Sequence, residues 1–187
     1  MNKVMEVIQT RRSVRFYDDK PISREMLNEI IAAGNAAPSG VNSQMWRFVV
    51  IENAEFRKKL AALALPRYKA WLEKMPDEIK AIRQEIDEIC EDPAYYSAPA
   101  IIFVIGYGMT SALDCPMVCQ NIMLSARSLG IGSCWVYIGQ LPLDDPEVRE
   151  SLKLQDHETV YGPILLGYPK DEFPEAPAKK EAEVTFI

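Results

Sequence analysis

The sequence has few of the residues from which metal centres and hydrolytic active sites are built. Its 187 residues include a single histidine, His157, and four cysteines, and no two cysteines form a Cys-x-x-Cys pair. A zinc site would need an unusual ligand set, and one histidine in a polar loop cannot supply a Ser-His-Asp arrangement. We therefore expect no metal site and no hydrolytic chemistry. Reduced structural thiols are expected at Cys90, Cys115, Cys119 and Cys134.

Long apolar runs and an excess of positive charge are also missing. No apolar run approaches the roughly 18 residues that span a bilayer, and residues 1–10 lack the hydrophobic core of a signal peptide. The chain has 27 acidic and 21 basic residues, a net charge of −6, and no extended basic stripe that could neutralise a nucleic-acid backbone. We expect a cytoplasmic protein that binds neither membranes nor nucleic acid.

The length and the apolar content predict the fold class. A chain of 187 residues with 48% hydrophobic content is long enough for one domain with a full core, over residues 1–187. Short apolar or β-branched runs indicate four strands, and periodic or capped segments indicate about six helices. We therefore expect an α+β domain. The predicted strands cover residues 47–51, 100–105, 133–138 and 159–166.

Capping residues predict where several helices begin and end. Ser23 and Asn53 precede amphipathic segments and are expected N-caps. Asp114 is the expected N-cap of an apolar core helix that ends at Gly130, and Asp145 is followed by a proline that suits the start of a short helix.

A helical excursion is predicted at about residues 66–92. Its isoleucines recur at spacings of three and four among alternating charges, which indicates a single surface helix with one apolar stripe. That stripe would pack on the body of the protein or on a partner. The isoleucines are Ile79, Ile82, Ile86 and Ile89.

The feature with most chemical content is an Arg-x-Ser-x-Arg run at residues 11–15, which follows a short amphipathic helix at residues 4–10. In an extended segment alternate side chains share one face, so Arg11, Ser13 and Arg15 could converge on one anion. Two guanidinium forks and a hydroxyl suit a phosphate. The alternative is that these arginines are solvated partners in surface ion pairs.

Three further segments add to this run. Residues 37–44 form a small-residue loop whose Asn42 and Gln44 could contact a flat ligand or merely satisfy the loop backbone. Residues 129–135 join the apolar helix to a strand, and residues 167–169 are followed by a lysine pair. In this order the motifs resemble the FMN-dependent nitroreductase family, in its small single-domain branch.

The resemblance implies a set of cofactor-binding residues. The phosphate and the ribityl chain of FMN would be held by Arg11, Arg12, Ser13 and Arg15. The loop of a neighbouring subunit would line the flavin through Pro38, Ser39, Gly40, Asn42 and Gln44. Backbone amides near the flavin N5 would come from Trp135, Val136 and Tyr137. A cation near the C-terminus would complete the phosphate site, at Lys179 or Lys180.

The resemblance also implies an assembly. It predicts a nitroreductase-like fold with a mostly antiparallel sheet of four strands, plus a C-terminal strand exchanged with the partner in a homodimer that holds FMN at its interface. The C-terminal arm at about residues 170–187 suits this expectation, because residues 183–187 are strand-like at the end of an otherwise polar tail.

The implied activity is that of an FMN-dependent oxidoreductase. It would take hydride from NAD(P)H onto flavin N5 and pass electrons to a nitroaromatic, a quinone or a similar acceptor by a ping-pong mechanism. No Gly-x-Gly-x-x-Gly follows a predicted strand, so the nicotinamide would visit the flavin without a Rossmann domain. The alternatives are a flavoenzyme of another outcome, such as dehalogenation or flavin fragmentation, and a flavin-binding module without NAD(P)H turnover.

Overall fold

A computed structural model describes residues 2–187, which form four strands, six α-helices and two 3₁₀ segments. The 3₁₀ segments are Gly40–Asn42 and Tyr137–Asp144. The strands are β1 (Trp46–Ile51), β2 (Ala100–Gly106), β3 (Gly132–Trp135) and β4 (Thr159–Gly167). The helices are α1 (Lys3–Thr10), α2 (Arg24–Asn35), α3 (Ala54–Glu73), α4 (Asp77–Asp87), α5 (Ser111–Ser128) and α6 (Pro146–Ser151).

The four strands form one antiparallel sheet in the order β1-β2-β4-β3. Strand β2 is buried along its whole length, and its side chains alternate between two apolar clusters. Ile101 and Phe103 face the cluster that contains α3, whereas Ile102 and Val104 face the cluster formed with α2 and α5. The predicted α+β fold with a four-stranded, antiparallel sheet is confirmed.

Most predicted caps are confirmed, because a cap depends on residues that are close in sequence. The side chains of Ser23 and Asn53 accept hydrogen bonds from backbone amides of α2 and α3, and Asp145 does the same for α6. Gly130 follows the end of α5 with a positive φ of 75°, where a glycine is favoured.

The predicted cap at Asp114 is wrong. Helix α5 begins earlier, at Ser111, and Asp114 lies in its first turn with only 5% of its surface exposed. Its carboxylate accepts hydrogen bonds from the Thr110 hydroxyl (2.7 Å) and from the backbone amide of Gly40 (3.4 Å). The carboxylate therefore fixes the 37–44 loop to α5.

The predicted single surface helix within residues 66–92 is also wrong. Pro66 lies inside α3, whose buried residues Leu60, Ala64 and Tyr68 hold the helix against the core on both sides of the proline. The chain turns after α3 and forms the separate helix α4. Of the four isoleucines only Ile86 packs against the core, and the others are exposed.

The third predicted strand is too long. Strand β3 ends at Trp135, and the chain continues into the 3₁₀ segment instead of a strand over residues 136–138. Glycine and proline within that segment, Gly139 and Pro142, disfavour a strand. The buried hydroxyl of Tyr95 donates to the carbonyl of Gly139 (2.7 Å), which holds the bend against the core.

The end of the chain lies on the surface. A backbone hydrogen bond joins Lys170 to Phe16, and residues 170–187 contain no helix or strand. The apolar side chains Val184, Phe186 and Ile187 are exposed. No helix within residues 2–187 has the length and apolar character needed to cross a membrane.

Candidate functional site

The arginine run lies extended beside the sheet edge at β3. Ser13 forms a parallel bridge with Ser133, and the Val14 amide donates to the Ser133 carbonyl (3.0 Å). Val14 is buried, and a Cβ on Gly132 would lie within 2.9 Å of its side chain. The run therefore has the extended conformation on which the convergence of its side chains depends, and Val14 anchors it.

The arginines of this run are not surface ion-pair partners. Among residues 2–187, Arg11, Arg12 and Arg15 form no salt bridge with a carboxylate. Arg12 donates from Nη1 to the carbonyls of Gln9 (2.7 Å) and Arg11 (2.6 Å). The Nε atoms of Arg12 and Arg15 are buried without a hydrogen-bond partner. Positive charge therefore collects here with little local compensation.

The run lines a cleft of about 320 Å³ together with the chain beyond β4. The other lining residues are Pro174, Glu175, Pro177 and Lys179. Lys179 thus adds a fourth cation against the single carboxylate of Glu175, whereas Lys180 is exposed outside the lining. An electropositive cleft of this composition suits a phosphate or another compact anion.

Two aromatic residues that the motifs of the sequence do not include, Tyr17 and Tyr96, support the run. The Tyr17 hydroxyl donates to the Val14 carbonyl (2.6 Å), and burial raises the pKa of Tyr17 well above its ordinary value. The guanidinium of Arg15 lies over the ring of Tyr96, 5.9 Å from its centroid. Tyr17 could have been noticed from its alternation with Arg15, but the contact with Tyr96 has no local signal in the sequence.

The segment Trp135–Tyr137 begins two residues after Ser133, the residue that forms the bridge with Ser13. The side chains of Trp135 and Tyr137 are 42% and 58% exposed, so Trp135 is not a core residue. Val136 is buried, and its amide donates to the carbonyl of Pro163 (3.0 Å). The segment therefore presents two exposed aromatic side chains near the arginine run.

The 37–44 loop is held in a strained conformation away from hydrogen-bonding contact with the run. Val41, Asn42 and Gln44 have positive φ angles of 48°, 56° and 49°. The Gln44 amide donates to Ser39 Oγ (3.0 Å), and the Gln44 side chain donates to the Asn42 carbonyl (3.2 Å). Within residues 2–187, no hydrogen bond of this loop reaches residues 11–15.

The loop borders an exposed apolar surface at the start of α5. We call this surface the α5 apolar face. Two of its side chains, Val41 and Met109, are fully exposed, and Pro38 at the start of the loop is exposed as well. Exposed apolar patches are typical of surfaces that contact another molecule. The members are Val41, Met45, Tyr107, Met109, Leu113 and Met117.

The chain is similar to known proteins over almost its whole length. The model of the nitroreductase family matches residues 8–168. A protein from Archaeoglobus fulgidus named as an NADH dehydrogenase/NAD(P)H nitroreductase is 34% identical over 174 residues, which cover 92% of this chain and 88% of that protein.

Two solved structures have the same fold. A nitroreductase with bound FMN from Bacteroides fragilis has a TM-score of 0.80 and 33% identity, with 100% of both chains covered. A nitroreductase with bound FMN from Desulfitobacterium hafniense has a TM-score of 0.80 and 30% identity, and the match covers 99% of this chain and 100% of that one. This chain therefore belongs to the nitroreductase family.

Proposed function

We propose that the chain, as a single domain of residues 1–187, binds FMN and acts as an FMN-dependent NAD(P)H oxidoreductase. The observation that carries the proposal is the electropositive cleft at residues 11–15, whose three arginines have no carboxylate partner among the described residues. The family membership and the FMN bound to the two similar solved structures support the same cofactor.

The residues of the cleft fit the phosphate end of FMN. Arg11, Ser13 and Arg15 line it from one extended segment, and Lys179 lines it from the C-terminal arm. The buried, unpartnered Nε of Arg15 would be costly to leave without an acceptor, and a phosphate oxygen supplies one. Arg12 donates only from Nη1 to two carbonyls, and its buried Nε also lacks a partner, so Arg12 contributes charge and can also donate to the phosphate.

We propose that the flavin site is completed in a homodimer. The loop residues Pro38, Ser39, Gly40, Asn42 and Gln44 would then approach the flavin bound to the other subunit. Two observations support this arrangement: the exposed α5 apolar face lies next to the loop, and the apolar end of the C-terminal arm is exposed in the single chain. Trp135 and Tyr137 would border the same site, and Lys180 would remain a peripheral cation.

Bound FMN supplies two-electron redox chemistry between a reduced nicotinamide and an acceptor such as a nitroaromatic or a quinone. The residues of the chain bind and orient the cofactor, and the exposed rings beside β3 shape the entrance for flat substrates. Because one entrance would serve both substrates in turn, we expect parallel lines in double-reciprocal plots, the signature of a ping-pong mechanism.

The test is an absorption spectrum of the purified protein, followed by chromatography of the released cofactor and anaerobic addition of NADH and then NADPH. Release of FMN and bleaching by either nicotinamide is the expected result. A colourless protein that cannot be reconstituted with FMN would overturn the proposal. Bound FMN that neither nicotinamide bleaches would indicate a flavin-binding module instead of an oxidoreductase.

A further inference from the structure

Arg83, on α4, is the centre of a polar network outside the cleft. Its Nε donates to the Tyr68 hydroxyl (2.9 Å), and its Nη1 donates to the Tyr96 hydroxyl (3.0 Å). Its Nη2 donates to the Pro93 carbonyl (3.2 Å) and pairs with Asp87 (3.4 Å). The side chain is only 13% exposed. These contacts occupy the fork of Arg83 and fix its position, so Arg83 is not itself available to an anion.

Tyr96 is held as firmly as Arg83. It is 4% exposed, and both Tyr96 and Ser97 have positive φ angles, of 50° and 51°. The carboxylate of Asp92 keeps the turn in this conformation by accepting hydrogen bonds from the amides of Tyr95 (2.9 Å) and Ser97 (3.1 Å). A strained, buried ring that is bonded at its hydroxyl has little freedom to tilt.

The face of this ring carries Arg15. A free arginine side chain has many rotamers, and ordering it on binding an anion costs conformational entropy. A cation over a fixed aromatic face is held before the anion arrives. Tyr96 therefore contacts Arg83 through its hydroxyl and Arg15 through its ring, and joins α4 to the cleft.

We propose that Arg83 and Tyr96 are positioning residues that hold Arg15 ready for the phosphate of the flavin nucleotide. This inference rests on the proposed function, and it adds a specific consequence: the two residues determine the preference for FMN over riboflavin, which has the same ring system and no phosphate. Arg83 on α4 and Tyr96 in the turn before β2 thereby contribute to cofactor selection without touching the cofactor.

The experiment measures dissociation constants of flavin-free protein for FMN and for riboflavin by fluorescence titration. We expect Tyr96→Leu to weaken FMN binding by about 5- to 30-fold, the range that corresponds to a partly or fully desolvated cation–π contact. Riboflavin binding should stay close to that of the unmodified protein. Arg83→Met should likewise weaken FMN binding more than riboflavin binding, and Arg83→Lys should restore part of the lost FMN affinity.

Tyr95→Phe is the matched control. It removes a buried hydroxyl that donates to the Gly139 carbonyl from the same turn, but it leaves the ring under Arg15 and the bond from Arg83 in place. The ratio of the FMN and riboflavin constants should therefore not change in this variant. If Tyr96→Leu does not fold, Tyr96→Phe and Arg83→Met are the test. Both keep an aromatic ring at residue 96 but remove the hydrogen bond between Arg83 and the Tyr96 hydroxyl, so both should weaken FMN binding more than riboflavin binding.

A fall in affinity for both flavins by the same factor in Tyr96 and Arg83 variants would overturn the inference, since that pattern describes general loosening. An unchanged ratio in folded Arg83→Met and Tyr96→Leu would do the same and would leave the proposed function intact. Absence of FMN binding by the unmodified protein would instead refute the proposed function.

Discussion

At the scale of single residues, the candidate site depends on how closely the arginine run approaches β3. Gly132 lies opposite Val14, and the absence of a side chain at Gly132 lets the two backbones meet. Tyr17 supports the same stretch from the other side through its hydrogen bond to the Val14 carbonyl. Gly132 and Tyr17, which do not line the cleft, therefore set the position of the arginines that do.

Gly132→Ala tests this close approach. The new Cβ would lie 2.8 to 2.9 Å from three atoms of Val14, so the run must move away from the sheet. We expect a loss of about 1–3 kcal/mol in unfolding free energy, typical of overpacking, together with weaker FMN binding. Chemical denaturation and fluorescence titration measure the two effects. Undiminished FMN affinity would show that the position of Val14 does not control the cleft.

Arg15→Ala tests the phosphate assignment directly. Loss of a charge-assisted hydrogen bond should weaken FMN binding by about 1.5–3 kcal/mol, measured by fluorescence titration. Arg149→Ala is the control, because Arg149 forms an ion pair with the exposed Asp156 and lies outside the cleft. Equal FMN affinity in the two variants would count against the assignment of Arg15.

At the scale of elements, an ion pair joins β1 to the loop before β4. Arg47 binds Glu158 with two parallel hydrogen bonds, Nε to Oε1 at 2.7 Å and Nη2 to Oε2 at 2.6 Å. Arg47 also donates to the carbonyl of Lys153 (2.9 Å). The pair therefore links β1 to the loop between α6 and β4. The hydrogen bond from Arg47 lowers the pKa of Glu158 to about 2.

This pair predicts a dependence of stability on acid. Because the pKa of Glu158 is lowered in the folded state, its contribution is complete above the unfolded pKa of about 4.3 and is lost as the pH falls towards 2. We expect a contribution of about 1–3 kcal/mol. Glu158→Gln should reduce the change in unfolding free energy between pH 6 and pH 3. An identical acid profile in the variant, measured by urea denaturation, would contradict this linkage.

At the scale of the whole molecule, two groups of exposed apolar residues bear on assembly, the α5 apolar face and the end of the C-terminal arm. Neither is covered within residues 2–187. Burial of such surface against a second copy would provide the main driving force for association. The loop at residues 37–44 borders the α5 apolar face and would approach the flavin of the other subunit. Assembly and cofactor binding would therefore depend on each other.

Val184→Ser combined with Phe186→Ser tests the role of the arm. We expect the unmodified protein to have a solution mass twice the 21.2 kDa of the chain. The dimer of the double variant should have a higher dissociation constant and bind FMN less tightly, because less apolar surface would be buried between the subunits. Light scattering after size-exclusion chromatography measures the mass, with Glu183→Gln as the control. A monomeric unmodified protein with full FMN affinity would refute the homodimer proposal.

The sequence by itself determined the features that depend on neighbouring residues. The caps at Ser23, Asn53 and Asp145 could be predicted because each side chain bonds an amide two or three residues away. The four strands followed from apolar or β-branched runs. The ordered motifs were also sufficient to indicate the nitroreductase family.

Only the tertiary structure decided the features that depend on distant residues. The carboxylate of Asp114 bonds Gly40, 74 positions away, so no local pattern could distinguish this role from a cap. Pro66 stays inside α3 because burial of the helix on both sides outweighs the backbone bond that proline loses. The contact of Arg15 with Tyr96 likewise exists only after the core has formed, since packing brings together side chains that the chain itself keeps far apart.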